Sequence, residues 1–176
     1  MAKPQSNLHF KLMSFTYRVR DFFLPRIDVL KEVGIQRGFR VLDYGCGTGS
    51  YVLPLAGLVG SSGEIYALDK HPLAIKMVQS KASNRSLTNV RTIQSDCNTG
   101  LPDRSIDVAL LYDTFHDLSQ PNDVLQELHR ILKPTGVLSL SDHHMKEADV
   151  LLKVTAGNLF KLSRRDRKTY SFEKAG

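Results

Sequence analysis

The sequence predicts an α/β domain, a mostly parallel sheet with helices on both faces and an antiparallel hairpin at the C-terminus. Three observations predict it. From residue 40 onward, short apolar β-rich runs alternate with helical stretches, the pattern of parallel strands joined by crossover helices. The first run enters a turn with glycine at every second position, Gly45, Gly47 and Gly49, and a helical segment leaves it. Carboxylates then end four successive strands, at Asp43, Asp69, Asp96 and Asp113, on the edge where open α/β sheets bind ligands.

Taken in order, Phe39, Val41 and Leu42 form the first strand, and residues 51–59 the helix after the glycines. Residues 65–68 are a short strand closed by Asp69. Over 72–82 the spacing of Leu73, Ile75, Met77 and Val78 is helical, with Pro72 at the start, where a missing N–H costs nothing. Residues 90–94 are a strand ended by Asp96. Residues 106–112 are continuously apolar, as in a strand buried on both faces. Val124, Leu125, Leu128, Ile131 and Leu132 mark an amphipathic helix over 123–132, stopped by Lys133-Pro134 and a turn at Gly136, with a strand over 137–140. After a helix at about 146–156, runs at 159–163 and 169–172 flank a charged turn and read as a hairpin. Residues 8–33 read as two short helices parted near Leu24 and Pro25. With no linker or repeat, residues 1–176 are expected to be one domain, with 1–35 a helical segment placed as a lid. Tyr17, Phe10, Phe15, Phe22 and Phe23 suit that lid and suit core packing equally.

The bulk properties exclude several classes. No stretch approaches a membrane span, and the N-terminus lacks a signal peptide's apolar centre. Two cysteines make neither a disulfide scaffold nor a zinc cluster. A cytoplasmic enzyme is the expectation. The net charge of +6 owes much to Lys161, Arg164, Arg165, Arg167 and Lys168. Such a cluster suits nucleic acid, an acidic membrane or an anionic substrate. Without interleaved aromatics for base stacking, a solvated hairpin turn is the favoured reading over a nucleic-acid partner.

The glycine loop narrows the ligand. A dinucleotide fingerprint is G-x-G-x-x-G, but here the third glycine falls one residue early, and Ser50 takes its place. Asp43 would repel a pyrophosphate and suits a ligand carrying an ammonium group. Both points count against an NAD(P)-dependent oxidoreductase. No Gly-Lys-Ser/Thr follows, so a P-loop is excluded. The run Val-Leu-Asp-Tyr-Gly-Cys-Gly-Thr-Gly over 41–49 resembles the first motif of class I S-adenosylmethionine (SAM)-dependent methyltransferases, close to V-L-D-x-G-C-G-x-G. Leu101-Pro102-Asp103-Arg104-Ser105-Ile106-Asp107 resembles the L-P-F-x-D-x-S-F-D stretch of the ubiquinone- and menaquinone-biosynthesis type, without its aromatic after Pro102 and with a polar Arg104. Leu128 to Gly136 is similar to that type's E-x-x-R-V-L-K-P-G-G, with Thr135 for a glycine, and reads as a structural helix stop.

The resemblance implies a Rossmann-like three-layer sandwich with a seven-stranded sheet, S-adenosylmethionine as cofactor and S-adenosylhomocysteine as product. It implies a cofactor site of Asp43, Gly45, Cys46, Gly47, Gly49, Asp69, Lys70, Asp96 and Cys97. Asp43 would help hold the methionine end, Asp69 both ribose hydroxyls, and Asp96 the adenine amino group. The Cys97 backbone would support the ring, and Lys70 would border the ribose or adenine. A turn or capping role is the structural alternative for each Asp.

Candidates for the acceptor side follow the fourth strand. His116 is the first choice as general base or substrate-orienting group, because imidazole titrates near working pH; its structural alternative is capping. Asp113 would orient the nucleophile or support the cofactor. The Asn/Asp-Pro-Pro-Tyr of enzymes that methylate exocyclic amino groups of bases is absent, the segment reading Tyr112-Asp113-Thr114-Phe115. Of His143 and His144, alternation along a strand lets at most one face the cleft. A metal held by His116, Asp142 and His143 is imaginable on sequence, but no metal is expected. Cys97 as a soft nucleophile is set aside, since arsenite methyltransferases need several cysteines. The acceptor is expected to be a small molecule reacting at oxygen, carbon, nitrogen or sulfur. Asp142 runs almost at once into Lys146, so the site is open or completed by the N-terminal helices or a second subunit of a homodimer. The alternative function is a nonenzymatic protein of the same fold that binds nucleic acid or a partner enzyme through the basic hairpin.

Overall fold

A computed structural model describes residues 27–176. The first predicted helix and the aromatic lid residues lie outside the described residues. The second predicted helix is α1 (Ile27–Val33). The chain continues through β1 (Arg40–Tyr44), α2 (Val52–Val59), β2 (Glu64–Asp69), α3 (Pro72–Asn84) and β3 (Val90–Gln94). Then come β4 (Ile106–Tyr112), a 3-10 turn (Phe115–Asp117), α4 (Pro121–Ile131) and β5 (Leu132–Ser141). The end is α5 (Glu147–Thr155), β6 (Phe160–Arg165) and β7 (Tyr170–Lys174).

The seven strands lie in the order β3-β2-β1-β4-β5-β7-β6. The first five pair parallel, and β7 inserts antiparallel between β5 and β6. The chain builds outward from β1 to β3, then returns to place β4 on the other side of β1. The strand order therefore reverses between β1 and β4, and their C-terminal ends part there to leave a crevice.

Both faces are covered, which explains the continuous apolar runs. Val41, Val108, Leu110 and Tyr112 pack with Leu30, Leu55 and Val59 of α1 and α2. Leu42, Ala109, Leu111 and Leu140 pack on the other face with Leu125 and Leu128 of α4 and Val150 of α5. Alternate residues of one strand feed opposite cores, so β1 and β4 are fixed in register from both sides.

The predicted turn between α4 and the fifth strand is absorbed into the sheet. β5 starts at Leu132, which pairs with Ile106, and the next pair is Val108 with Val137. Lys133 to Gly136 thus bulge opposite Asp107. Gly136 fits because a Cβ there would come within 3.0 Å of the Ile106 carbonyl oxygen. Lys133 Nζ reaches Asp107 Oδ1 at 2.6 Å, and Asp107 Oδ2 accepts from the Arg40 N–H at 2.8 Å.

The two stretches singled out around 101–107 and 128–136 meet through Arg130. Its guanidinium donates to both oxygens of Glu127, to the Leu101 carbonyl and to Asp103. Glu127 Oε1 also accepts from the N–H and hydroxyl of Thr99. Arg130 thus does more than end a helix: it clamps the 99–103 loop onto α4. The hydrogen bonds from Arg130, joined by those from Thr99, hold the Glu127 carboxyl down at about 2, against 4.5 ordinarily.

Arg130→Met is expected to lower the unfolding free energy by about 1–3 kcal/mol, through lost charge-assisted hydrogen bonds, measured by urea titration at pH 7. A depressed carboxyl stabilises the fold above its unfolded range and loses that contribution as pH falls toward about 2. The stability gap between wild type and Glu127→Gln should therefore narrow steadily below about pH 4.5. A gap unchanged down to pH 3 would refute the clamp.

Candidate active site

A cavity of about 480 Å³ opens at the crevice, walled by the glycine loop, the ends of β2 and β4, and the turn before α4. The three glycines of its loop wall serve different purposes. Gly45 has φ +75°, and a Cβ there would overlap the Thr114 side chain. Gly47 has φ +51°, and a Cβ there would meet nothing nearer than Gly45 O at 3.9 Å, so it would enter open space. A Cβ on Gly49 would come within 2.9 Å of Val78 Cγ2, so this glycine serves the approach of α3.

Hydrogen bonds fix the loop to β2. The N–H groups of Gly45 and Cys46 both donate to the Leu68 carbonyl, at 2.8 and 2.9 Å. Asp69 Oδ2 accepts from the Gly47 N–H at 2.9 Å and Oδ1 from the His71 N–H at 2.8 Å. His71 in turn caps α3, its Nδ1 accepting from the Leu73 N–H at 3.1 Å. From below, Lys81 Nζ donates to the Gly49 carbonyl at 3.0 Å.

The predicted cofactor residues divide into two groups. Gly45, Cys46, Gly47, Asp69, Lys70 and Asp96 line the cavity. Asp43, Gly49 and Cys97 lie behind the wall. Asp43 is 2 % exposed, and its Oδ2 has no hydrogen-bond partner among the described residues. Burial above all, with Asp69 adding and Lys81 opposing, pushes its carboxyl up to about 7. Cys97 packs against the core beside Leu101, and burial raises its thiol, which argues against a nucleophile. Lys70 pairs with Asp117 at 3.6 Å, both exposed. The Asp96 carbonyl accepts from Tyr44 Oη at 2.7 Å, which ties that loop to β1.

On the acceptor side, His116 and Asp113 both line the cavity. His116 Nδ1 lies 2.9 and 3.0 Å from the two oxygens of Asp142, whose side chain is fully buried. Asp142 Oδ2 also accepts from the His116 N–H, and Oδ1 from the His144 N–H. Asp113 sits in the left-handed region at φ +52° and holds His143 Nδ1 at 2.6 Å. Of His143 and His144, His144 lines the cavity and His143 does not, but strand alternation is not the reason. The strand has ended at Ser141, and both rings lie in a turn, 3.8 Å apart, with His144 also 4.3 Å from His116. His144 lines the cavity and His143 braces Asp113. The imagined metal set is not assembled, since His116 and His143 face different carboxylates, and no such cluster forms among the described residues. Sequence reading did not pair Asp142 with His116, although Asp142 is another strand-end acid, one strand further on. In the basic hairpin, Arg164 bonds Asp166 and the Glu32 carbonyl, and Arg165 pairs with Glu147.

The model of the methyltransferase domain family matches residues 35–176. The chain belongs to the SAM-dependent methyltransferases. A demethylmenaquinone methyltransferase of Geobacillus kaustophilus is 32% identical over 130 residues, 73% of this chain and 56% of that protein. The ubiquinone/menaquinone biosynthesis C-methyltransferase UbiE of Azotobacter vinelandii is 32% identical over 123 residues, 69% of this chain and 49% of that one. The chain thus spans about half the length of the curated relatives it matches. The crystal structure of a SAM-dependent methyltransferase from Aquifex aeolicus superposes with a TM-score of 0.76 at 28% identity, covering 85% of this chain and 88% of that one. No described helix is long and apolar enough to cross a membrane. The site fits the family's cofactor on its own terms: the space before Gly47 admits a ligand against the backbone, and the orphaned Asp43 oxygen lies just behind the loop.

Asp43 favours its neutral form in the fold, so its burial is cheap below about pH 4 and grows costlier until about pH 7. The unliganded Asp43→Asn protein should therefore gain stability over wild type as pH rises through that range. By pH 8 the gain should be on the order of a few kcal/mol. Urea unfolding across pH 5–8 measures it; a pH-independent difference would show that Asp43 is ionised throughout.

Proposed function

We propose that the protein transfers a methyl group from S-adenosylmethionine to a small-molecule acceptor bound at the rim formed by the 3-10 turn, the start of α4 and His144. The observation that carries this reading is one cavity with the open backbone of Gly47 on one wall and the Asp142-supported His116 on another. The cofactor supplies a sulfonium-borne methyl that a nucleophile displaces, the electron pair of the broken bond staying on sulfur.

Asp43, Gly45, Cys46, Gly47, Asp69, Lys70 and Asp96 would hold it. Asp69 is already oriented by two backbone N–H groups and keeps lone pairs on both oxygens for a vicinal diol. The cavity-lining Asp69 and Asp96 suit a ligand with positive charge. At the rim Asp113, Asp117 and Asp142 each face a histidine or lysine, so these carboxylates are engaged by protein partners. His116 orients or deprotonates that acceptor. The relatives' names speak for a ring such as a quinol as acceptor.

Thermal unfolding with S-adenosylhomocysteine, with NAD as control, tests the reading. At a hundred times its dissociation constant a ligand stabilises by about 2.7 kcal/mol, a shift of several degrees. Gly47→Val should abolish the shift; a β-branched residue at φ +51° is itself strained, so the unliganded midpoint should fall by several degrees while unfolding stays cooperative. An equal shift with NAD, or none with S-adenosylhomocysteine, would sink the proposal.

A further inference from the structure

The pairing of His116 with Asp142 carries a consequence for the acceptor, resting on the methyl-transfer reading above. Asp142 is buried, and both of its oxygens already accept backbone N–H groups, Oδ2 from His116 and Oδ1 from His144. Hydrogen bonds of that kind favour the ionised carboxylate, and an ionised carboxylate only accepts. The third contact, at 2.9 Å to His116 Nδ1, therefore requires the proton to sit on Nδ1. In the neutral ring Nε2 then keeps a free lone pair. No hydrogen bond from the described residues occupies Nε2, and the ring lines the cavity with its side chain one-third exposed.

This arrangement has a use only for one class of acceptor. A thioether or tertiary amine attacks a methyl group without losing a proton and needs no base. A hydroxyl, phenol or enol becomes a strong nucleophile only when its proton leaves. We infer that the acceptor is protic, that it gives its proton to Nε2 of His116, and that Asp142 is the positioning residue that sets the tautomer. In that step the acceptor's O–H bond breaks and its electron pair stays on the acceptor, at oxygen or, in a phenol or enol, delocalised onto the ring or enol carbon that then attacks. A new N–H bond forms on Nε2, and the resulting imidazolium faces the Asp142 carboxylate until the proton passes to water. His144, whose ring lies 4.3 Å from that of His116, and the Lys70–Asp117 pair are the other titratable groups at this rim. Asp113 is engaged by His143, so it is not available as the base.

Long-range 1H–15N correlation spectra of the full chain at pH 8 read the tautomer directly, with the His116 ring assigned by its absence in His116→Gln. Wild type should show a protonated Nδ1 and an unprotonated Nε2. In Asp142→Asn the amide can accept on one side only, so that signature should shift to the other tautomer or to a mixture. A wild-type ring protonated on Nε2 would overturn the inference, and this measurement depends on no variant folding. In parallel, methyl transfer from labelled S-adenosylmethionine is followed with catechol and with dimethyl sulfide as probes. Turnover of catechol in preference supports the inference; turnover of dimethyl sulfide in preference overturns it. With both probes silent, the tautomer decides. Binding of S-adenosylhomocysteine is measured on the same sample: its loss with the tautomer intact refutes methyl transfer, whereas its retention with the wrong tautomer refutes the base alone.

Discussion

The Asp69 carboxylate is the joint on which the site turns. It ends β2, and its two oxygens take the Gly47 N–H of the loop after β1 and the His71 N–H at the start of α3. The loop after β1 is thereby held to the β2–α3 junction, two segments distant in sequence meeting at one point of the crevice. A neutral amide could accept only one of those bonds, so a carboxylate is required before any ligand arrives. With Gly45 and Cys46 also donating to Leu68, the loop is preorganised by β2. Thr114 against Gly45 connects it to the β4 side, where the acceptor groups lie. A bulkier residue at Gly45 would push the two walls apart.

Much of this was legible in the sequence, for a physical reason. Strand, tight turn and helix are local patterns, and the alternation of such units forces parallel pairing, so β1 to β5 and the hairpin could be read from periodicity and glycine placement. The strand-end acids were legible because parallel strands bring all their C-terminal ends to one edge. What escaped reading depends on partners far apart in the chain. Arg130 looks like a helix terminator until the 99–103 loop is seen beneath it. Strand geometry does not govern His143 and His144, because β5 ends at Ser141 and a turn carries His144 to the cavity and His143 to Asp113. The bulge opposite Asp107 escaped because a Lys-Pro-Thr-Gly run reads locally as a turn, and only pairing across the sheet makes it part of β5.

The same distinction separates the two halves of the cavity. The half beside the glycine loop, proposed for the cofactor, is set by backbone features: the glycine surface, loop N–H groups bound to β2, and the positions at which strands end. Those features follow from the fold and change little unless the sheet changes. The acceptor half is made of side chains on two short loops, after β4 and after β5. Two reciprocal Asp–His pairs tie these loops together, Asp113 with His143 and His116 with Asp142, each reaching from one loop to the other. The crossing holds the 3-10 turn against the β5 loop although only the turn at 142–145 separates β5 from the approach to α5. A substitution in either loop can then reshape the acceptor rim while Asp69 and the glycine loop remain as they are, so one sheet can serve different acceptors, and specificity resides in the loops that the dyads hold together.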